Sequence, residues 1–599
     1  MKILSVFISF IPSLIFCFFF YKKKSFFKFI IISILLYFLY ISLFTNKTVI
    51  ENLAKLTEFR ISYIFKFYIL TFIDFIITIL LSKFFELKKE KTEKSNISYL
   101  IIVCICFPIC FALILLQKLF PLDNPANIFY TLHSPVTGGI PQNLFQNIIL
   151  QVLLPSLFFI VFFIIINKNF FSKYNFTFKS KLIKISVSQL VSIYLIILTF
   201  GSFIFRAQLY NYPKLFYNYN KKPVDSEFYK TEYVNPNNNV ITNKKNIIYI
   251  FLESMETSFA SYEEGGLLKE NHIPNLTKLA LENKCFNGNT NKLNGITQTD
   301  GTSWTIAGIL SKISGLPYNM QQPANFDNLV TYLPNAVMLT DILHSNKYNQ
   351  VFAFGSEKSF GAMDLLLETH GDVEVHDINW YKNKGYINKE YHNGFWGFED
   401  KYLYEFAKKD LLELSTKEEP FFYGIDTIDT HFQEGFICSE CQENHPNQRF
   451  FDVLECADRQ IGQFINWLKQ QSFYDNTLIV ISGDHLFMST TLNLFEDEYE
   501  NNIRIVDEVE EKHRTKESKR KVYCCFINSK NTNIYHNYNS FDIYATILDE
   551  LDVPLQNNKA GFGVNLNSNN QSINEKYSFK FVNEKTMEKN IQYMALEQN

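Results

Sequence analysis

Six apolar runs crowd the first 205 residues, at positions 3–20, 26–44, 61–81, 99–116, 148–166 and 185–205. Each approaches the roughly 20 residues that a helix needs to cross a bilayer core. A signal peptide would account for the first run alone and not for the others. The pattern predicts a membrane domain of about six helices. Asp74 lies inside the third run, a place where an ionisable group faces the bundle interior and carries function.

Charge sets the orientation. Lys22, Lys23 and Lys24 follow the first run, and Lys83, Lys88, Lys89, Lys91 and Lys94 follow the third. Lys168, Lys173, Lys179, Lys181 and Lys184 separate the fifth from the sixth. The alternate loops at 45–60 and 118–147 carry far fewer lysines. The positive-inside rule puts the basic loops in the cytoplasm, so everything after position 205 lies outside. Positions 206–245 hold Tyr210, Tyr212, Phe216, Tyr217 and Tyr219 before Pro and Asn clusters, the composition of an interfacial linker.

From 246 to 599 the chain reads as an ordinary soluble domain. The net charge of the whole chain, −3, argues against a nucleic-acid footprint. Strand-like runs at 247–252, 350–354, 421–425, 478–481 and 522–527 alternate with helical periodicity at 401–414 and 451–468. That alternation predicts an α/β domain with a mainly parallel sheet, in which ligands gather beyond the carboxyl ends of the strands. The charged run 496–521 breaks the alternation and reads as a solvated insertion. Of ten cysteines, Cys17, Cys104, Cys106 and Cys110 sit in apolar runs. Cys438-Ser439-Glu440-Cys441 has redox or zinc spacing, but no second C-x-x-C completes a ligand set, which favours a disulfide or free thiols. Cys524 and Cys525 should point to opposite faces of one strand.

Three polar clusters fall just past strand ends: Glu253-Ser254, Asp426 to His431, and Ser482-Gly483-Asp484-His485. Between them, Thr297-Gln298-Thr299-Asp300-Gly301-Thr302-Ser303-Trp304-Thr305 runs into an apolar helix. A hydroxyl there can act as an ordinary N-cap. It can equally serve as a nucleophile, because a helix N-terminus favours an anion such as a phosphate ester. Glu253, Asp484 and His485 are hard-oxygen and imidazole ligands, and with a Thr hydroxyl they would form a one-metal site. Mn2+ is the first expectation, with Mg2+ and Zn2+ as alternatives.

In this order the motifs resemble the phosphoglycerol transferase I family, within the sulfatase/alkaline phosphatase-like superfamily that includes lipoteichoic acid synthase. The resemblance covers most of 246–566. It rests on Phe251-Leu252-Glu253-Ser254, Gly301-Thr302-Ser303-Trp304-Thr305, Gly315-Leu316-Pro317 and Trp396-Gly397-Phe398-Glu399-Asp400. It continues through Asp429-Thr430-His431, Asp458-Arg459-Gln460-Ile461-Gly462, Asp484-His485, Asp542-Ile543-Tyr544 and Gly561-Phe562-Gly563-Val564.

The resemblance implies a multi-span α-helical membrane domain followed by an extracytoplasmic sulfatase-like domain in a bacterial inner membrane. It implies Glu253, Thr302, Asp484 and His485 as metal ligands, Thr302 also as nucleophile, and His431 as a catalytic and substrate-site histidine. Trp304 belongs to the same motif as Thr302 and joins the substrate-site candidates. Where lipoteichoic acid synthase has a Trp and an Arg after a Ser-Phe pair, this chain has Gly361 and Met363 after Ser359-Phe360, with Lys358 as a replacement cation. The implied reaction moves phosphoglycerol from phosphatidylglycerol to a glycan through a phosphoglyceryl-threonine, releasing diacylglycerol. The alternatives are a phosphoethanolamine transferase and a non-catalytic membrane protein carrying a decayed domain. A plain sulfatase lacks support, because no Cys/Ser-x-Pro-x-Arg segment is present.

Overall fold

The computed structural model describes residues 85–89, 97–119, 148–169, 171–178, 184–206, 221–236, 240–319, 331–391, 393, 395–431, 434–446, 448–488, 494 and 520–598. The chain divides into two compact units, 1–128 with 142–215, and 129–141 with 216–599. The first three apolar runs, Asp74 and most of the charged run 496–521 lie outside the described residues.

In the first unit the last three runs are helical. They form α1 (Ile97–Leu119), a π-helical turn (Ile148–Leu153) continuing into α2 (Leu154–Asn169), and α3 (Val187–Arg206). Two segments, Ile97–Leu115 and Ile148–Lys168, are long and apolar enough to cross a membrane. Aromatic packing joins α1 to α2, with the Phe107 ring 5.4 Å from Phe159 and 5.1 Å from Phe163. Ile105, Phe158 and Phe200 point outward and exposed, which suits an apolar solvent rather than water. Three short strands, β1 (Phe85–Lys89), β2 (Tyr174–Phe178) and β3 (Lys184–Ser186), form an antiparallel sheet in the order β1-β2-β3. Two of the lysine-rich loops are thus hydrogen-bonded neighbours.

The second unit is built on a six-stranded sheet. Its strands are β4 (Asn246–Leu252), β5 (Asn349–Phe354), β6 (Glu374–His376), β7 (Phe421–Asp426), β8 (Thr477–Gly483) and β9 (Cys524–Ile527). The order is β6-β5-β7-β4-β8-β9, parallel throughout except for antiparallel β9. Strand β6, only three residues long, gave no apolar run to read. The pleat divides β4 between two cores: Ile247, Tyr249 and Phe251 enter one, Ile248, Ile250 and Leu252 the other. The first core includes residues of α5 (Thr305–Ser314), α6 (Leu339–Ser345) and α9 (Ser540–Glu550). The second includes α4 (Pro274–Glu282), α7 (Asp400–Leu414) and α8 (Arg449–Leu468). The result is a three-layer helix–sheet–helix sandwich. Cys524 and Cys525 fall in opposite cores, as their adjacency requires.

The stretch after Lys221 folds onto this unit: Phe228 stacks on Phe562 at 5.5 Å, and Val224 bridges to Asn590. The buried carboxylate of Asp458, on α8, caps the start of α4. It accepts from Asn275 N at 2.9 Å, Leu276 N at 2.8 Å and the Asn275 side chain at 2.8 Å. Asp458→Ala leaves these donors without their acceptor. It should cost about 1–3 kcal/mol, read as a lowered urea midpoint of the detergent-solubilised chain. An unchanged midpoint would remove the cap from the account.

Candidate functional site

Strands β4, β7 and β8 are neighbours, so the segments that follow them converge. Glu253 comes directly after β4, and Asp484 and His485 directly after β8. One ligand atom from each lies within 4.8 Å of the others, and all three side chains are buried. His485 Nε2 stands 3.3 Å from Asp484 Oδ2 and 3.6 Å from Glu253 Oε1.

The backbone is shaped to hold this group. Ser254 adopts φ 53°, a left-handed conformation that costs an L-residue about 1–3 kcal/mol. That turn aims its N–H at Asp484 Oδ1, 2.7 Å away, and His485 N donates to the same oxygen at 2.7 Å. Strand β7 contributes hydroxyls just past its end. Glu253 N donates to Thr427 Oγ1 at 3.0 Å, and Thr430 Oγ1 donates to the Glu253 carbonyl at 2.6 Å.

Helix α5 closes the site from the sequence's threonine stretch. Gly308 packs so closely that a Cβ there would sit 2.2 Å from the Asp484 carbonyl oxygen. Lys312, one turn further on, donates to the same carbonyl at 2.7 Å. Thr305 Oγ1 donates to Glu253 Oε2 at 3.3 Å. Thr302 is buried on the preceding turn, its hydroxyl donating to Thr299 O at 2.9 Å. Gly301 makes that turn possible, with φ 77°.

Charge is concentrated without solvent. Burial, and then the Asp484 carboxylate, hold Glu253 well above the usual carboxylate range. The same two causes raise Asp426, whose buried Oδ1 has no hydrogen-bond partner among the described residues. Burial brings the Lys312 ammonium down to about 8. Asp484 Oδ2 and His485 Nε2 are also buried without a hydrogen-bond partner among the described residues. The other ring nitrogen, His485 Nδ1, is 2.8 Å from the Leu486 carbonyl. A carbonyl only accepts, so the proton sits on Nδ1 and Nε2 is left to ligate. Orphaned oxygen and nitrogen atoms facing one small space fit a divalent cation.

The remaining sequence candidates sit as follows. His431 is buried with its ring 4.7 Å from Trp396, one residue beyond the Thr430 that bonds Glu253. Trp304 caps α5 and packs edge-on against Tyr318 at 5.3 Å. Lys358 follows β5; its ammonium pairs with Glu368, while its backbone N–H donates to Asp377.

Sequence reasoning named Thr305, Asp426 and Trp396 within motifs without giving them roles, and passed over Lys312. Lys312 carried a legible signal: it is the one cation in an otherwise apolar helix, seven residues after Thr305 and hence on its face. Asp400, in the Trp396 motif, braces the histidine loop by accepting from Ile428 N at 2.7 Å and Asp429 N at 3.0 Å.

The sulfatase family model matches residues 245–553, more than half of the chain, and the chain belongs to that family. Among its curated relatives is phosphoglycerol transferase I of Xanthomonas campestris pv. campestris (strain B100). That protein is 30% identical over 283 residues, covering 46% of this chain and 38% of the relative. The match therefore spans well under half of the relative's own length. Solved structures to which the chain bears a likeness include an alkaline phosphatase superfamily protein from Vibrio parahaemolyticus (TM-score 0.43, 20% identity, 60% of this chain and 78% of the other). The lipoteichoic acid synthase LtaP from Listeria monocytogenes is another (TM-score 0.42, 17% identity, 54% of this chain and 76% of the other).

Gly308→Ala forces α5 away from Asp484, because the obstructing atom is backbone. The variant should bind Mn2+ about 10–100-fold more weakly by calorimetric titration of the full chain. Unchanged affinity would show that the close helix approach does not shape the site.

Proposed function

We propose that this chain is a membrane-anchored phosphoglycerol transferase that uses phosphatidylglycerol as donor and a glycan as acceptor. The observation that carries the reading is the buried meeting of Glu253, Asp484 and His485 beside a hydroxyl-rich helix N-terminus. The name of the curated relative supports the transferred group. Glu253, Asp484, His485 and Thr302 would hold one divalent cation, with Mn2+ favoured over Mg2+ and Zn2+. When bound, it would lower the pKa of a ligating hydroxyl and offset phosphate charge.

The chain's own groups divide the rest of the work. Thr302 Oγ1, its proton given to solvent before the cycle begins, attacks phosphorus as the alkoxide; a new O–P bond forms, the bond to the diacylglycerol oxygen breaks, and the second displacement returns the alkoxide. The α5 N-terminus faces the phosphoryl oxygens with backbone N–H groups. His431 gives a proton to the departing diacylglycerol oxygen, then takes one from the incoming glycan hydroxyl that displaces Thr302. Trp304 and Trp396 wall the site, and Lys358 becomes a phosphate contact on leaving Glu368.

Residues 1–205 act as the multi-pass anchor in a bacterial inner membrane. Residues 206–245 connect it to the extracytoplasmic catalytic domain, 246–599, and of these the stretch 221–236 packs onto that domain. Anchoring keeps the site near its lipid donor and raises the donor's effective concentration.

Intact mass of the full chain, incubated with phosphatidylglycerol and Mn2+, should show one phosphoglycerol adduct on Thr302. Thr302→Ala should lose the adduct, whereas Thr305→Ala should keep it. An adduct that moves to Thr305, or one formed only with phosphatidylethanolamine, would overturn the corresponding part of the reading.

A further inference from the structure

Away from the strand-end site, three cysteines converge where the histidine loop meets α8. Cys438 Sγ lies 3.8 Å from Cys456 Sγ and 3.7 Å from Cys441 Sγ, and all three sulfurs are within 4.8 Å of one another. A disulfide would hold two sulfurs at about 2.05 Å. A tetrahedral zinc with metal–sulfur bonds of about 2.3 Å places its ligands about 3.8 Å apart. The observed separations match the second geometry.

The local backbone agrees. Cys438 to Cys441 forms a tight turn, Cys441 N donating to Cys438 O at 3.2 Å, and Glu440 N–H points at Cys438 Sγ at 3.4 Å. One turn after Cys456, the Gln460 amide nitrogen lies 3.5 Å from Cys456 Sγ and 3.6 Å from Cys438 Sγ. Its own oxygen is buried without a hydrogen-bond partner among the described residues. Cys438 and Cys456 are buried, so as thiolates they would need a cation beside them. Half-exposed Cys441 leaves one side open for a fourth ligand from solvent.

A second cluster nearby, His272, His445 and Glu455, is already satisfied. Glu455 Oε1 bonds both His272 Nδ1 at 2.8 Å and His445 Nε2 at 2.9 Å. Among the described residues no carboxylate accepts from the three thiols.

We propose that Cys438, Cys441 and Cys456 form a structural site for a thiophilic divalent cation, zinc by the softness of its ligands. Each ligating thiol gives its proton to solvent as the metal–sulfur bond forms. The third ligand comes from α8, which explains why the C-x-x-C spacing looks incomplete in sequence. The site clamps the far end of the loop that carries His431. Within that loop Gly435 N bonds His431 O at 3.1 Å, and Phe436 N bonds Asp429 O at 2.7 Å.

The test uses the full chain, reduced and purified without metal, titrated with Co2+. A sulfur-to-cobalt charge-transfer band reports thiolate ligation alone, so neither the strand-end site nor the histidine pair contributes. One equivalent should develop the band. Cys456→Ser should abolish it, the milder Cys441→Ser should weaken it, and Glu253→Gln should leave it intact. The zinc content of protein isolated under reducing conditions should fall by one per chain in Cys456→Ser. No band in folded, fully reduced protein would overturn the proposal. So would recovery of two of the three cysteines as a disulfide in protein isolated from cells without added reductant.

Discussion

Burying Glu253 and Asp484 against each other is the constraint on which the rest of this domain turns. Two carboxylates out of water repel, and each loses hydration worth several kcal/mol. The fold spends backbone donors to hold one of them: Ser254 N and His485 N both bond Asp484 Oδ1. It leaves the other Asp484 oxygen and the His485 Nε2 lone pair facing inward. Lys312 reaches the same region but spends its protons on carbonyl oxygens, those of Gly308 and Asp484. A site so arranged gains most from a compact dication, because only that supplies enough positive charge in so small a space.

Everything around the group is placed by the parallel sheet. Adjacent β7, β4 and β8 end together, so Thr427, Glu253 and Asp484 are neighbours in space though far apart in sequence. Helix α5 then seats on the Asp484 carbonyl because Gly308 has no side chain. On another side, Arg520 makes a two-pronged ion pair with fully buried Glu256 and also donates to the Phe487 carbonyl at 2.8 Å. That clamp ties the end of the charged run to the residues that follow His485. The histidine loop is braced by Asp400 at its start and, on the proposal above, by three cysteines at its finish.

The sheet was legible because buried parallel strands are short apolar runs with a polar break, and β4, β5, β7 and β8 each have that form. The edge strand β6 was not, being three residues of Glu374-Val375-His376 with no apolar run. The trio Glu253, Asp484 and His485 was legible as a candidate because hard donors immediately after strands are a chemical pattern, and the fold brings the three together. The individual roles of Thr305, Asp426 and Trp396 were not, since these come from neighbours supplied by other segments. Cys456 shows the same limit: a lone cysteine inside an amphipathic helix reads as core until the chain folds and brings Cys438 and Cys441 to it. The basic loops were read through charge alone, and segments of two of them pair as β1 and β2.

The most direct test of the central claim is where a divalent ion binds. Crystals of the full chain grown with Mn2+ and measured at the manganese absorption edge should show one strong anomalous peak. It should lie within about 2.0–2.3 Å of His485 Nε2 and of oxygens from Glu253 and Asp484. A peak there would join the buried charges, the orphaned ligand atoms and the helix approach in one account. Crystals with Mn2+ bound elsewhere, and ordered water or a proton shared between Glu253 and Asp484 instead, would contradict it.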